Sequence, residues 1–247
     1  MLKTFAQGSL FGGGYGERTP WVLALPGWQH THADFDAICA DFDAIALDLP
    51  GFGSAPPPPE AWSTAQYAEH LAPVLDQMAP QVVVVGHSFG GKVATHLAAA
   101  QPDRVAAQVL TGAPLIRPLP GARRAAPLSL RVAKTLRRSH LMGEETVERL
   151  RQKYGSEDYR RATGVMRGVL VRSVNETHEV PLAAFPGPIE LIWGAEDDQV
   201  PVAVAQAAEA CCAQPHLVVL PGVGHFVPRD DPGAIVQAIA RHRPAGT

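Results

Sequence analysis

Apolar residues recur along this 247-residue chain in short unbroken or nearly unbroken runs, separated by longer stretches at helical spacing. The runs at 21–25, 43–49, 82–85, 104–111, 188–194 and 216–220 are short and rich in Val, Leu and Ile, so they predict strands buried on both faces. Between them, Ser63-Thr64-Ala65-Gln66 reads as a capping box opening a helix with Tyr67, Leu71, Val74, Leu75 and Met78 on one face. Further helices are predicted at 92–100, 202–212 and 231–242. Strands alternating with helices demand a mostly parallel sheet with right-handed crossovers. Residues 2–11 alternate weakly and end in Gly12-Gly13-Gly14, which predicts an edge strand followed by a flexible turn. From 115 to 185 the alternation stops. No strand is predicted there, only three helical stretches, the clearest starting at Ser156 with Tyr159, Ala162, Met166, Val169, Leu170 and Ser173 at three- and four-residue steps. The expected organisation is an α/β core of residues 1–114 and 186–247, with 115–185 as a helical insertion.

The all-valine run 82–85 leads into Gly86-His87-Ser88-Phe89-Gly90-Gly91 and then into the small-residue stretch 92–100. A strand that turns sharply into a helix around a serine needs residues without a Cβ two places before and after it, which Gly86 and Gly90 supply. This nucleophile elbow resembles that of the α/β-hydrolase superfamily. The resemblance implies a doubly wound sheet with a helical cap after the sixth strand, here 115–185. It also implies a triad in the chain order Ser, acid, His. Ser88, Asp197 and His225 fit that order, each just past a predicted strand. Within Glu196-Asp197-Asp198, the family's Gly-x-x-Asp-x-x-x-Pro spacing from Gly194 to Pro201 selects Asp197, with Asp198 next. His225 stands in the family's Gly-x-Gly-His-Phe setting, whereas His87 is expected to point away from the serine and to pack beneath the elbow. In Pro26-Gly27-Trp28 a proline replaces the family's usual histidine; the oxyanion donors implied are the amides of Trp28 and Phe89. Asp48-Leu49-Pro50-Gly51-Phe52-Gly53 resembles a structural loop of the family, and Met166, Val169, Leu170 and Phe226 are expected to line the substrate pocket.

The activity implied is hydrolysis of a carboxylic ester with a small or medium acyl group, through an acyl-enzyme and without metal or organic cofactor. A C–C bond hydrolase, thioesterase, perhydrolase or ligand-binding receptor on the same fold remains open. Serine at the elbow argues against relatives that displace halide or open epoxides. Net charge, −3 at pH 7, points to neither nucleic acid nor a membrane surface as a partner. The charge is unevenly placed, however: 115–180 carries 14 Lys/Arg against 7 Asp/Glu, including Arg123, Arg124, Arg137, Arg138, Arg160 and Arg161. Together with Pro-Gly-Trp, this is similar to esterases acting on acyl groups held by acyl carrier protein, which implies an acidic partner at the cap. The three cysteines, Cys39, Cys211 and Cys212, lack metal-ligand spacing, and His30 and His32 read as solvated loop residues. Without a signal-peptide core at the N-terminus or a run of about 18 apolar residues, a cytoplasmic monomer or homodimer is expected.

Overall fold

The computed structural model describes residues 2–116 and 157–247. In chain order the strands are β1 (Leu2–Phe5), β2 (Leu10–Tyr15), β3 (Val22–Leu25), β4 (Ala44–Asp48), β5 (Val82–His87), β6 (Val105–Thr111), β7 (Pro188–Gly194) and β8 (Gln214–Leu220). They form one eight-stranded sheet in the order β1-β2-β4-β3-β5-β6-β7-β8. The β1–β2 and β2–β4 pairs are antiparallel and the others parallel. Strand order reverses at β3 and β5, where Leu25 lies beside Gly86. Crevices open at such switch points, beyond the carboxyl ends of the strands.

The described helices are α1 (Asp36–Cys39), α2 (Thr64–Leu71), α3 (Phe89–Ala100), α4 (Glu157–Arg161), α5 (Gly164–Ser173), α6 (Glu179–Ala184), α7 (Val202–Glu209), α8 (Val227–Asp230) and α9 (Pro232–Arg241). Alternation along β5 explains their placement. Val82 and Val84 join one buried cluster with α2, α3 and α7, through Tyr67, Leu71, Val93, Leu97 and Val204. Val83 and Val85 join the other, with Phe35, Ile38, Ile235 and Ile239. All four valines are fully buried. Each such side chain contributes about 1.5–3 kcal/mol of transfer free energy, so a continuous apolar run is what a two-sided strand requires.

Three local expectations change. Gly12, Gly13 and Gly14 form no turn; they run inside β2 and pair with β4. A Cβ on Gly12 would collide with the Ala46 carbonyl, so the glycine is there for close approach and not for flexibility. The α2 helix keeps its capping box, with the Ser63 amide donating to Gln66 Oε1 at 2.9 Å, but tightens after Leu71 into a 3₁₀ segment, Ala72–Gln77, that contains Pro73. The single helix expected from Ser156 is two. Thr163 is extended and Gly164 has φ of +52°, which separates α4 from α5.

Polar contacts seat the described end of the β6–β7 insertion, from 157 on, against the core. Lys92 Nζ of α3 donates to the Ser173 carbonyl at 2.8 Å, and Thr64 Oγ1 donates to Glu176 at 2.6 Å. Thr64 Oγ1 also lies 3.1 Å from Nε2 of buried His178. Arg123, Arg124, Arg137 and Arg138 lie outside the described residues; Arg161 pairs with Glu157 one turn away in α4.

Candidate active site

Ser88 occupies the corner between β5 and α3 with φ of +50° and ψ of −111°, a conformation that costs a non-glycine residue about 1–3 kcal/mol and persists only where neighbours over-determine it. Those neighbours are close. A Cβ on Gly86 would lie 2.6 Å from the Gly91 Cα, and one on Gly90 would strike the carbonyls of Leu25 and Pro26. The Ser88 amide donates to the Thr111 carbonyl at 2.8 Å, and its carbonyl accepts from Gly91 at 3.1 Å. The corner is thus pinned on one side by β6 and on the other by the first turn of α3.

Asp197 and His225 meet although 28 residues separate them, with His225 Nδ1 2.8 Å from Asp197 Oδ2. The other carboxylate oxygen accepts the amides of Gln199 at 2.9 Å and Val200 at 2.7 Å, and the side chain is 1% exposed. Glu196 and Asp198 are exposed. The two loops touch because Gly194 lacks a Cβ, which would collide with the carbonyls of Val223 and Gly224. His225 rests on Gly112, where an added Cβ would come within 2.9 Å of Cε1. Thr111 and Gly112 therefore connect the two halves: the first holds Ser88, the second supports His225.

The Pro26-Gly27-Trp28 turn follows β3 and faces the same corner. The position of a Cβ on Gly27 would be 3.4 Å from Ser88 Cβ, 3.1 Å from His87 Cδ2 and 3.7 Å from His30 Cδ2. Among the described residues the amides of Trp28 and Phe89 have no hydrogen-bond acceptor. The Trp28 ring packs edge-on against Phe89 at 5.4 Å and Phe52 at 4.8 Å, which holds the turn against the start of α3.

His87 is buried but does not turn away. Its Nδ1 lies 2.9 Å from Thr111 Oγ1, and its ring is 4.9 Å from that of His225 and 4.8 Å from that of Phe226. Burial, aided by His225 and His30, holds its pKa well below the usual histidine range, so it stays neutral beneath the site. His30 and His32 diverge. His32 Nδ1 and amide both contact Asp48 Oδ1, at 2.8 and 2.9 Å, and this brace holds the loop after β4. His30 packs against Phe226 with centroids 4.3 Å apart and the rings tilted by 50°, beside the site, and the sequence reading missed it; the signal was Asp34 four residues on, whose carboxylate reaches His30 Nδ1 at 2.6 Å.

Of the residues expected to line a pocket, Phe226 lies between His30 and His87. Met166 packs where a Cβ on Gly51 would be, and Val169 is fully buried in the cluster that includes Phe52 and Phe89. Leu170 is 8% exposed. From α4, Asp158 feels the charges of both His30 and His225, although burial, with Glu157 adding, raises its pKa above the usual carboxylate range. No three His, Cys, Asp or Glu side chains gather as a metal site among the described residues, and no helix among them is long and apolar enough to cross a membrane.

The chain belongs to the alpha/beta hydrolase family, whose model matches residues 22–238. It is 53% identical over 66 residues to Lipase LipV of Mycobacterium tuberculosis, covering 26% of this chain and 25% of the lipase. It is 33% identical over 91 residues, 35% of each chain, to the pimeloyl-[acyl-carrier protein] methyl ester esterase of Aeromonas hydrophila. The matched stretches thus span about a quarter to a third of these relatives' length. In fold it is similar to a thermophilic esterase from Thermogutta terrifontis, with a TM-score of 0.69 and 22% identity over 98% of this chain and 97% of that one.

Proposed function

We propose that the protein is a serine hydrolase that cleaves a carboxylic ester through an acyl-enzyme, with residues 115–185 acting as a cap over the site. The observation that carries this reading is the strained Ser88 at a sheet switch point, at the same edge as a buried Asp197–His225 pair. A serine hydroxyl is a weak nucleophile near neutral pH and needs a base held by a third group. With Nδ1 engaged by Asp197, His225 keeps Nε2 for the Ser88 proton. Attack on the ester carbonyl places negative charge on its oxygen. The amides of Trp28 and Phe89, without an acceptor among the described residues, are the donors for it, each worth about 3–4 kcal/mol in a comparable site. His225 then gives the proton to the departing alcohol, and water, activated by the same imidazole, releases the acid. No step requires a cofactor.

The test is turnover of a chromogenic short-chain ester by the purified protein and by Ser88→Ala. The variant keeps the fold and loses on the order of six orders of magnitude in turnover. Activity within tenfold of wild type in a folded variant overturns the reading. The excess of Lys/Arg in 115–180 and the match to an esterase whose substrate is carried by acyl carrier protein support an acidic partner at the cap in the same reading. Recruitment of that kind shows as loss of kcat/KM with salt, because charges farther apart than about 8 Å are screened at physiological ionic strength.

A further inference from the structure

Two histidine–aspartate pairs, not one, border the serine. His225 is held by Asp197; His30 Nδ1 lies 2.6 Å from Asp34 Oδ2, close but not aligned as a hydrogen bond. In an imidazole Cδ2 is bonded to Nε2, and it is Cδ2 that faces Gly27, at a point also within 4 Å of Ser88 Cβ. The Cδ2–Nε2 edge of His30 is therefore turned toward the serine corner while Nδ1 is turned toward Asp34. Nε2 has no hydrogen-bond partner among the described residues, and the side chain is 35% exposed. The Phe226 ring lies 6.2 Å from that of His225 and 4.3 Å from that of His30, so a single ring separates His30 from His225. Asp158 of α4 feels the charges of both His225 and His30.

We infer that His30, oriented by Asp34, binds a hydroxyl group on the alcohol part of the substrate; this rests on the serine-esterase reading above and names its substrate class. The side is set by chemistry: the alcohol leaves beside the imidazole that protonates it, and His30 is separated from His225 only by the ring of Phe226. The group is set by charge. With Asp34 2.6 Å from His30 and the charge of Asp158 acting on it, a carboxylate would meet two acids, whereas a neutral hydroxyl donates to an unprotonated imidazole nitrogen or accepts from a protonated one.

The test compares three esters of one acid: 2-hydroxyethyl butanoate, propyl butanoate of equal heavy-atom count, and carboxymethyl butanoate. kcat and KM are measured for wild type, His30→Phe, which keeps a ring against Phe226, and Asp34→Asn. The ratio of kcat/KM for the hydroxyethyl over the propyl ester falls about three- to tenfold in His30→Phe, the range of one neutral hydrogen bond, mainly through KM. A smaller fall in the same direction follows in Asp34→Asn, which serves as the second variant should His30→Phe fail to fold. Unchanged ratios in both variants overturn the inference, and so does an equal loss on both neutral esters, which marks His30 as only a support of the fold. A preference for the carboxymethyl ester that disappears with His30 also overturns it in favour of an anion site. Should folded wild type hydrolyse none of the three, the esterase reading falls and this inference with it; turnover of the propyl ester without hydroxyl preference sinks the inference alone.

Discussion

His225 Nδ1 is 2.8 Å from Asp197 Oδ2, while Asp198, the next residue, points its exposed side chain to solvent. Asp197→Asn replaces an oxygen that accepts from the imidazole with a group that cannot hold the productive tautomer, so turnover falls by about four orders of magnitude. Asp198→Asn leaves it within about twofold, as expected of an exposed loop position. Ester turnover of the two purified variants ranks the acids, and the opposite ranking reassigns the loop.

Gly112 supports His225 with φ of +54° and no room for a Cβ, which would lie 2.9 Å from the ring. Gly112→Ala displaces the imidazole while leaving Ser88 in place. A misplacement near 1 Å costs about 100-fold in turnover, and the left-handed backbone adds roughly 1 kcal/mol of destabilisation. A kcat loss far larger than the Tm change warrants, with KM nearly unchanged, is the expected signature.

Histidine burial makes the fold acid-sensitive in a defined window. His178 has its pKa pushed down to about 3 by burial first, then by Lys92 and His96. The unfolded chain binds a proton at the usual 6.5 that the native state refuses until about 3, so stability is complete above 6.5 and declines as pH falls toward 3. The slope is about 1.4 kcal/mol per pH unit for one such group. Urea unfolding at pH 7.5, 6 and 5 (roughly the range that brackets the histidine titration) measures it. His178→Gln, which retains a partner for Thr64, flattens the slope; buried His87 shares its sign and keeps it from vanishing.

Glu190 of β7 ties the end of the chain to the sheet. It accepts Arg241 Nη2 at 2.7 Å, His242 Nε2 lies 2.7 Å from its Oε1, and His216 Nδ1 of β8 lies 2.6 Å from its Oε2. Burial alone would raise its pKa, but the hydrogen bonds from Arg241, His216 and His242 outweigh that and hold it near 2. Its contribution is full above the usual 4.5 and is lost as pH falls through about 2. Glu190→Gln lowers unfolding free energy at pH 7 by about 2–3 kcal/mol, and the gap to wild type narrows below pH 4.5. A constant gap down to pH 3 (about the middle of that window) would show that the charge plays no part.

Features set by neighbours in sequence were readable from it. The strands follow from apolar runs whose alternate members face opposite clusters, as Val82 to Val85 do. The elbow follows from Gly86 and Gly90, because a tight turn is a local demand, and the α2 capping box closes within four residues. What tertiary structure decided depends on which distant segments are brought together. Three glycines became part of a strand only because β4 pairs with them, and the Ala46 carbonyl leaves no room for a Cβ on Gly12. Asp197 outranks its neighbours through the amides of Gln199 and Val200 and the approach of a loop 28 residues away. His30 and His32, alike in a polar loop, divide between the serine corner and a brace on Asp48, since the strand order puts β4 on one side of β3 and β5 on the other. Local periodicity and turn chemistry specify the elements and the Ser88 corner; the sheet order, set by burial over the whole chain, specifies which polar side chains share the space around it.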